Sequence, residues 1–135
     1  MAKEVPADTT GFNPFGDLIG LQFVKCEGGQ SRCTLGVEPR LLNPHGAVHG
    51  GVLYSMADTG MGGAMYTVME KEELCATIEI KIVYFKAVRS GTLVCDTRII
   101  SRGRRVAALE SDITNDGRLV AKANGTFSVF RAKED

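Results

Sequence analysis

The order of elements in this chain predicts an α+β fold: two strands, one long helix, then four strands. Three observations carry that expectation. Between Leu53 and Val68 apolar residues recur at helical spacing, at Leu53, Met56/Ala57, Gly60/Met61, Ala64 and Val68. From Cys75 to Phe85 apolar and polar residues alternate, with Ile78, Ile80, Ile82 and Tyr84 expected on one face and Thr77, Glu79 and Lys81 on the other. Gly28-Gly29 and Asn115-Asp116-Gly117 are hairpin signals that join strand-like runs directly, so neighbouring strands pair antiparallel. One helix must then cover the apolar face of one sheet.

Taken in order, residues 1–12 read as a loose polar tail, and residues 13–131 as a single domain. Asn13 is placed to cap a short helical turn with Pro14 at its first position. Leu21 to Glu27 and Gln30 to Val37 form the first hairpin around Gly28-Gly29, and Pro39 ends it. A loop broken by Gly and Pro leads into the helix, whose apolar segment runs to about Met69. Glu70 to Glu73 is a charged exit. The later strands are predicted at Cys75–Phe85, Thr92–Arg102, Arg104–Thr114 and Leu119–Phe130, with Gly103 marking a turn or bulge. Ala121, Ala123 and Gly125 share one face of the last strand, where small residues let a helix lie close to the sheet.

Composition narrows the function classes. At 135 residues the chain is long enough for one real core. Its formal net charge of zero gives no general pull toward nucleic acid or an anionic membrane. No apolar run approaches the roughly 18 residues of a membrane span, and the N-terminus lacks the apolar centre of a signal peptide. A cytoplasmic protein is the expectation. The four cysteines, Cys26, Cys33, Cys75 and Cys95, form no Cys-x-x-Cys pair. Free thiols are therefore expected, with neither a metal site nor a disulfide framework.

The chemistry concentrates in Asn43 to Asp58, Asn-Pro-His-Gly-Ala-Val-His-Gly-Gly-Val-Leu-Tyr-Ser-Met-Ala-Asp. Two glycines at the helix entrance allow a ligand to approach free backbone N–H groups. Asp58 is one acid in a nearly uncharged segment, and a carboxylate is rarely buried there without a partner or a task. An acid and an open helix N-terminus are the raw material for attack on a carbonyl. The plain alternative is a turn followed by a locally bonded Asp.

Asn43, Gly46, His49-Gly50-Gly51 and Asp58 resemble the signature of hotdog-fold acyl-CoA thioesterases of the PaaI-like branch, and the resemblance spans roughly residues 15–130. It implies a long central helix wrapped by a curved antiparallel sheet, and hydrolysis of a thioester. It implies Asp58 as base or nucleophile, and the Gly50 N–H as donor to the carbonyl oxygen. Asn43 matches a position that helps hold the thioester or the water. His49 either polarises the carbonyl or orients the loop, and Thr77 either orients water beside Asp58 or is simply a strand-favouring residue. Gly51, Tyr54 and Met61 are the expected substrate-side residues of the helix. Arg89, Arg102, Arg104 and Arg105 flank two turns and suit coenzyme A phosphates, if they do not merely form a solvated rim. Relatives often carry Pro where Ala87 stands, which bears only on the shape of that turn.

The resemblance further implies a site shared across a homodimer, paired into a homotetramer, with no cofactor beyond the coenzyme A of the substrate. A hotdog hydratase or dehydratase is one rival. Leu41 stands where its acid belongs, and no residue separates Pro44 from His45. A non-catalytic acyl-CoA-binding module is the other rival, and it has no need of Asp58.

Overall fold

Asn13 starts the first ordered helix as its sequence requires: its side chain accepts from the Gly16 N–H at 3.2 Å, and Pro14 opens α1 (Pro14–Ile19). The structure, a computed structural model, describes residues 3–6 and 11–132. Of the expected tail, residues 1, 2 and 7–10 lie outside that description. Within it, the Lys3 N–H donates to the Met69 carbonyl at 3.1 Å, and Phe12 stacks edge-on against Tyr66.

β1 (Leu21–Glu27) and β2 (Gln30–Gly36) form the first hairpin. Gly28 and Gly29 both take positive φ, 59° and 78°. Two left-handed residues in succession match the twist of the flanking strands. Asp116 (φ 51°) and Gly117 (φ 81°) repeat this between β5 (Val106–Asn115) and β6 (Arg118–Arg131). β3 (Glu73–Tyr84) and β4 (Thr92–Arg102) complete one antiparallel sheet in the order β1-β2-β4-β5-β6-β3. The sequence expectations hold for every element, with ends displaced by up to three residues.

The central helix α2 (Gly50–Tyr66) is 17 residues long, roughly 25 Å at 1.5 Å per residue. It stops short of the expected Met69, and Thr67 closes its end. The Thr67 hydroxyl donates to the Ala64 carbonyl at 2.7 Å and accepts from the Gly29 N–H at 2.8 Å. Its sheet-facing side is Leu53, Met56, Ala57, Gly60, Met61, Ala64 and Met65, all buried. Small residues set how closely helix and sheet approach. A Cβ on Gly60 would stand 2.9 Å from the Thr97 hydroxyl, and one on Gly125 would collide with the Met61 sulfur. Ala121 and Ala123 are fully buried beside it, as their spacing in β6 predicts. The buried hydroxyls under the helix are paired. Ser31 donates to the Gly60 carbonyl at 2.6 Å, and Thr97 and Ser111 bond each other at 2.6 Å.

β3 departs from its expected alternation. Thr77 pairs with Phe127 and Glu79 with Thr126, so Ile78 is an extra residue in a bulge. The bulge reverses the faces between Thr77 and Ile80. Thr77 therefore lies on the helix side with Ile80 and Ile82, while Ile78 is 56% exposed on the outer side. The cysteines are free, as expected: Cys33 and Cys95 are buried, Cys26 and Cys75 half-buried. On the outer face of the sheet, Arg32 pairs with Asp96, Arg98 with Glu110, and Lys122 with Asp112. This recess of about 410 Å³ carries both signs of charge in mutual contact, so it has no net pull on an anion.

Candidate active site

The helix N-terminus is built by a loop that Asn43 organises. Its side-chain oxygen accepts from the N–H groups of His45 (2.9 Å) and Ala47 (3.1 Å), and Gly46 takes φ 81° to close the turn. With the oxygen so engaged, the Asn43 amide NH₂ is the end left to donate. Arg89 braces the same loop, its guanidinium donating to the His45 carbonyl at 3.0 Å.

His49 is the N-cap of α2, and its Nδ1 accepts from the Gly51 N–H at 2.8 Å. A nitrogen that accepts carries no proton, so neutral His49 holds its hydrogen on Nε2, facing away from the helix. The imidazole thus orders the loop through one nitrogen and offers a donor through the other. The Gly50 N–H is the first of α2 and has no hydrogen-bond partner among the described residues. Gly51, by contrast, spends its N–H on His49.

Tyr84 fixes Gly50, a role that sequence reading assigned to no residue. Its hydroxyl donates to the Gly50 carbonyl at 2.6 Å. A Cβ on Gly50 would stand 3.1 Å from that ring, so a larger residue here would press on Tyr84. Burial, and secondarily Tyr54, push the Tyr84 phenol above its ordinary value, which keeps it a donor at neutral pH. No local pattern announces such a residue, because the contact joins positions 34 apart. Asn43, Val48, Gly50, Leu53 and Tyr84 border a recess of about 320 Å³ in front of the helix N-terminus.

The acid stands elsewhere on the same helix. Asp58 is half-buried and accepts from the Thr77 hydroxyl at 2.6 Å, a length typical of a hydrogen bond to a charged oxygen. The bulge at Ile78 is what turns Thr77 toward the helix. Cys75, two residues earlier on β3, is a thiol pushed up first by burial and then by the Asp58 charge. It stays protonated at neutral pH and is no thiolate nucleophile. Asp58 and Gly50 are eight residues apart on α2, about 12 Å along its axis.

The remaining predicted residues separate. Tyr54 is exposed on the outer side of α2. Met61 is fully buried against Gly125 on the sheet side, its helix position facing β6 rather than solvent. The arginines do not meet within one chain. Arg89 precedes β4 while Arg102 ends it, roughly 33 Å away for 11 extended residues. Arg102 is moreover held by Glu73 at 3.1 Å and by the carbonyls of Gly103 and Arg104. Arg104 and Arg105 are exposed. Among the described residues no group of three His, Cys, Asp or Glu converges, and no helix is long and apolar enough to cross a membrane.

Known proteins resemble this chain in sequence and in fold. A family model described as the thioesterase superfamily matches residues 45–122. SSO1253 of Saccharolobus solfataricus, which carries an esterase name, is 34% identical over 116 residues, covering 85% of this chain and 77% of the relative. The structure of the conserved protein PA5202 from Pseudomonas aeruginosa matches with a TM-score of 0.87 at 33% identity, over 93% of this chain and 100% of that one. A mutant of the phenylacetic acid degradation protein PaaI from Thermus thermophilus matches with a TM-score of 0.80 at 25% identity, over 86% and 98%. The family match begins two residues after Asn43 and takes in His49, Gly50, Asp58 and Thr77. On that span and on its strand order around one long helix, this chain belongs to the thioesterase superfamily and has the hotdog fold.

Proposed function

We propose that this thioester hydrolase acts on an aryl- or medium-chain acyl-CoA, giving the free acid and coenzyme A. The observation that supports this most directly is the Asp58–Thr77 hydrogen bond on the same helix whose first N–H, at Gly50, has no partner among the described residues. Asp58 either removes a proton from water as it attacks the thioester carbon, or attacks that carbon itself. In the first case the water oxygen bonds to carbon, the C–S bond breaks, and the proton held by Asp58 passes to the departing thiolate; in the second an Asp58 oxygen bonds to carbon as the C–S bond breaks, and water then cleaves the resulting anhydride, freeing the acid and Asp58, with a proton from that water going to the thiolate. Negative charge grows on the carbonyl oxygen, and the Gly50 N–H at a helix N-terminus is the donor suited to it. The Asn43 amide and the His49 Nε2–H are further donors beside Gly50.

The same reading makes a homodimer the smallest complete unit, with Asn43, His49 and Gly50 from one protomer facing Asp58 and Thr77 of its partner. Two such dimers form the proposed homotetramer. A second protomer would also bring one end of β4 toward the other protomer's site, so Arg89 of one chain and Arg104 and Arg105 of the other would meet the coenzyme A phosphates. Gly51 and Tyr54 border the path between the two halves. The proposed compartment is the cytoplasm.

Thiol release from a panel of acyl-CoAs tests the reaction. Continuous appearance of free thiol is the expected result. Binding without thiol would instead identify a carrier module, and water addition across an enoyl-CoA without thiol would identify a hydratase.

Two further outcomes are expected in that assay. Tyr84→Phe removes the bond that fixes Gly50, so kcat should fall about three- to tenfold, the equivalent of one net hydrogen bond of ~1 kcal/mol, with KM little changed. An unchanged kcat would mean that Gly50 is placed without the phenol. Catalysis is also proposed to need no metal. Activity should survive prolonged exposure to a chelator, and its loss with recovery on adding zinc would refute this.

A further inference from the structure

Three contacts along β2 follow one rule. The Gly29 N–H, in the turn before β2, donates to the Thr67 hydroxyl, which in turn donates to the Ala64 carbonyl. The Ser31 hydroxyl donates to the Gly60 carbonyl at 2.6 Å. The Cys33 thiol faces the Met56 carbonyl at 3.8 Å. Each advance of two residues along β2 moves back four along α2. Two strand residues span about 6.8 Å and four helical residues about 6 Å, so the two repeats nearly keep step. Positions 56, 60 and 64 form one row on α2, and the inner face of β2 lies along it.

The apolar packing beneath α2 does not fix this alignment closely. Its sheet-facing side carries Met56, Ala57, Gly60, Met61, Ala64 and Met65. Burial energy has no direction, small side chains offer few ridges, and methionine adapts its shape. A hydroxyl donating to a carbonyl has both a length and an angle. Ser31 is the strong member of the run, since a thiol is a weak donor and Thr67 binds its own helix end. Gly60 makes the contact reachable: a Cβ there would stand 2.9 Å from the Thr97 hydroxyl and 3.6 Å from that of Ser31. Gly60 is an interior position of α2, so the helix ladder already serves its carbonyl. Alanine at 31 would leave no helical group unpaired, and the helix therefore does not require the hydroxyl.

Asp58 lies on the other side of α2. It is two residues from both Met56 and Gly60, about 200° around the axis. There it accepts from the Thr77 hydroxyl of β3 at 2.6 Å. The middle of α2 is thus held between a hydroxyl of β2 and a hydroxyl of β3, and the second of these ends on the acid. Over so short a span a helix moves as one body, so a shift at Gly60 is a shift at Asp58.

Resting on the reading of Asp58 as base or nucleophile in thioester hydrolysis, the geometry points to Ser31 as a positioning residue for Asp58. Ser31 is buried and touches neither substrate nor acid. It fixes where α2 sits on the sheet, and with it the place at which the carboxylate meets Thr77 and the thioester carbon.

Ser31→Val and Ser31→Thr test this, because the two new side chains share one shape and differ by a methyl group in place of the hydroxyl. A carbon approaches a carbonyl oxygen only to ~3.3 Å, so valine displaces Gly60 by about 0.7 Å from where the hydroxyl holds it. Misplacement by 1 Å costs about 100-fold in rate. In Ser31→Val, kcat for thiol release should therefore fall at least ~10-fold, with KM within ~2-fold of the wild type. Ser31→Thr keeps the donor and should hold both constants within ~2-fold. In crystal structures of the two variants, the Asp58 carboxylate should move against β3 by at least ~0.5 Å in Ser31→Val and stay in place in Ser31→Thr.

A folded Ser31→Val protein with wild-type kcat, or with Asp58 in its wild-type place, would overturn the assignment. Equal losses in the valine and threonine variants would overturn it too, since position 31 would then matter only for the space it fills. A loss confined to KM does the same. If Ser31→Val fails to fold, Ser31→Ala takes its place, and an unchanged kcat with an unmoved Asp58 refutes the role. Failure of the hydrolysis reading looks different: no thiol from any acyl-CoA, while the position of Asp58 still follows the hydroxyl at 31.

Discussion

Asp58→Asn should lower turnover of an acyl-CoA by at least ~100-fold, the least that a positioned base or nucleophile contributes. The substitution keeps the shape of the side chain, and the Thr77 hydroxyl that now donates to Oδ1 at 2.6 Å still finds an oxygen acceptor. What disappears is the negative charge and the basic lone pair. The core beneath is untouched, because Met56, Ala57 and Met61 face the sheet while Asp58 faces outward. Unfolding of the variant should therefore match the wild type within about 1 kcal/mol. The adjacent Cys75 thiol cannot substitute for the lost base, since it is held protonated by burial and, in the wild type, by the Asp58 charge. Near-normal turnover by the folded variant would remove Asp58 from the chemistry and leave Thr77 as a strand residue with a surface hydrogen bond.

Mixing two inactive variants should restore activity, which is the strongest expectation of a site shared between chains. Gly50 and Asp58 lie on one straight helix, about 12 Å apart along its axis. A donor must sit ~3 Å from the developing oxyanion, and the acid must reach the same carbon directly or through one water. One helix does not present both groups to one atom at that separation. A two-fold pairing that runs the N-terminus of one α2 past the middle of its partner's does so, and makes two equivalent sites.

Asp58→Ala disables the acid half, and Asn43→Ala disables the loop half by removing the acceptor for the His45 and Ala47 N–H groups. Each is to be confirmed nearly inactive alone, then both are unfolded and refolded together in equal amounts. Random pairing puts half of the chains in mixed dimers, in which one site of two is intact. About a quarter of wild-type activity should return. If Asn43→Ala retains activity, Tyr84→Ala serves as the loop-side variant, because Tyr84 holds Gly50. Two inactive parents whose exchanged mixture stays inactive would refute the shared site.

The sequence by itself determined the elements of this fold, because each rests on short-range physics. Gly28-Gly29 and Asp116-Gly117 make the left-handed turns that hairpins need, and the Asn13-Pro14 pair starts a helix wherever it lies. The 3.6-residue period from Leu53 to Val68 marked a buried helix, and Ala121, Ala123 and Gly125 marked the strand it rests on. The types of residue at the candidate site were legible too, since His49-Gly50-Gly51 and Asp58 lie in one short stretch.

Only the tertiary structure decided where those residues point and what they touch. Alternation along β3 assigns Thr77 to the outer face, and the bulge at Ile78 returns it to Asp58; a bulge is a property of pairing with β6, not of β3 alone. That Met61 packs against Gly125 of β6 is likewise visible only once helix and sheet meet. Arg89 and Arg102 both lie at turns, yet the length of β4 keeps them at opposite ends of the sheet. Tyr84 reaches Gly50 across 34 residues. Local propensity acts over a few residues, whereas register, facing and open space arise when distant segments pack together. Those long-range contacts decide what the acid in the middle of α2 and the donor at its N-terminus can touch.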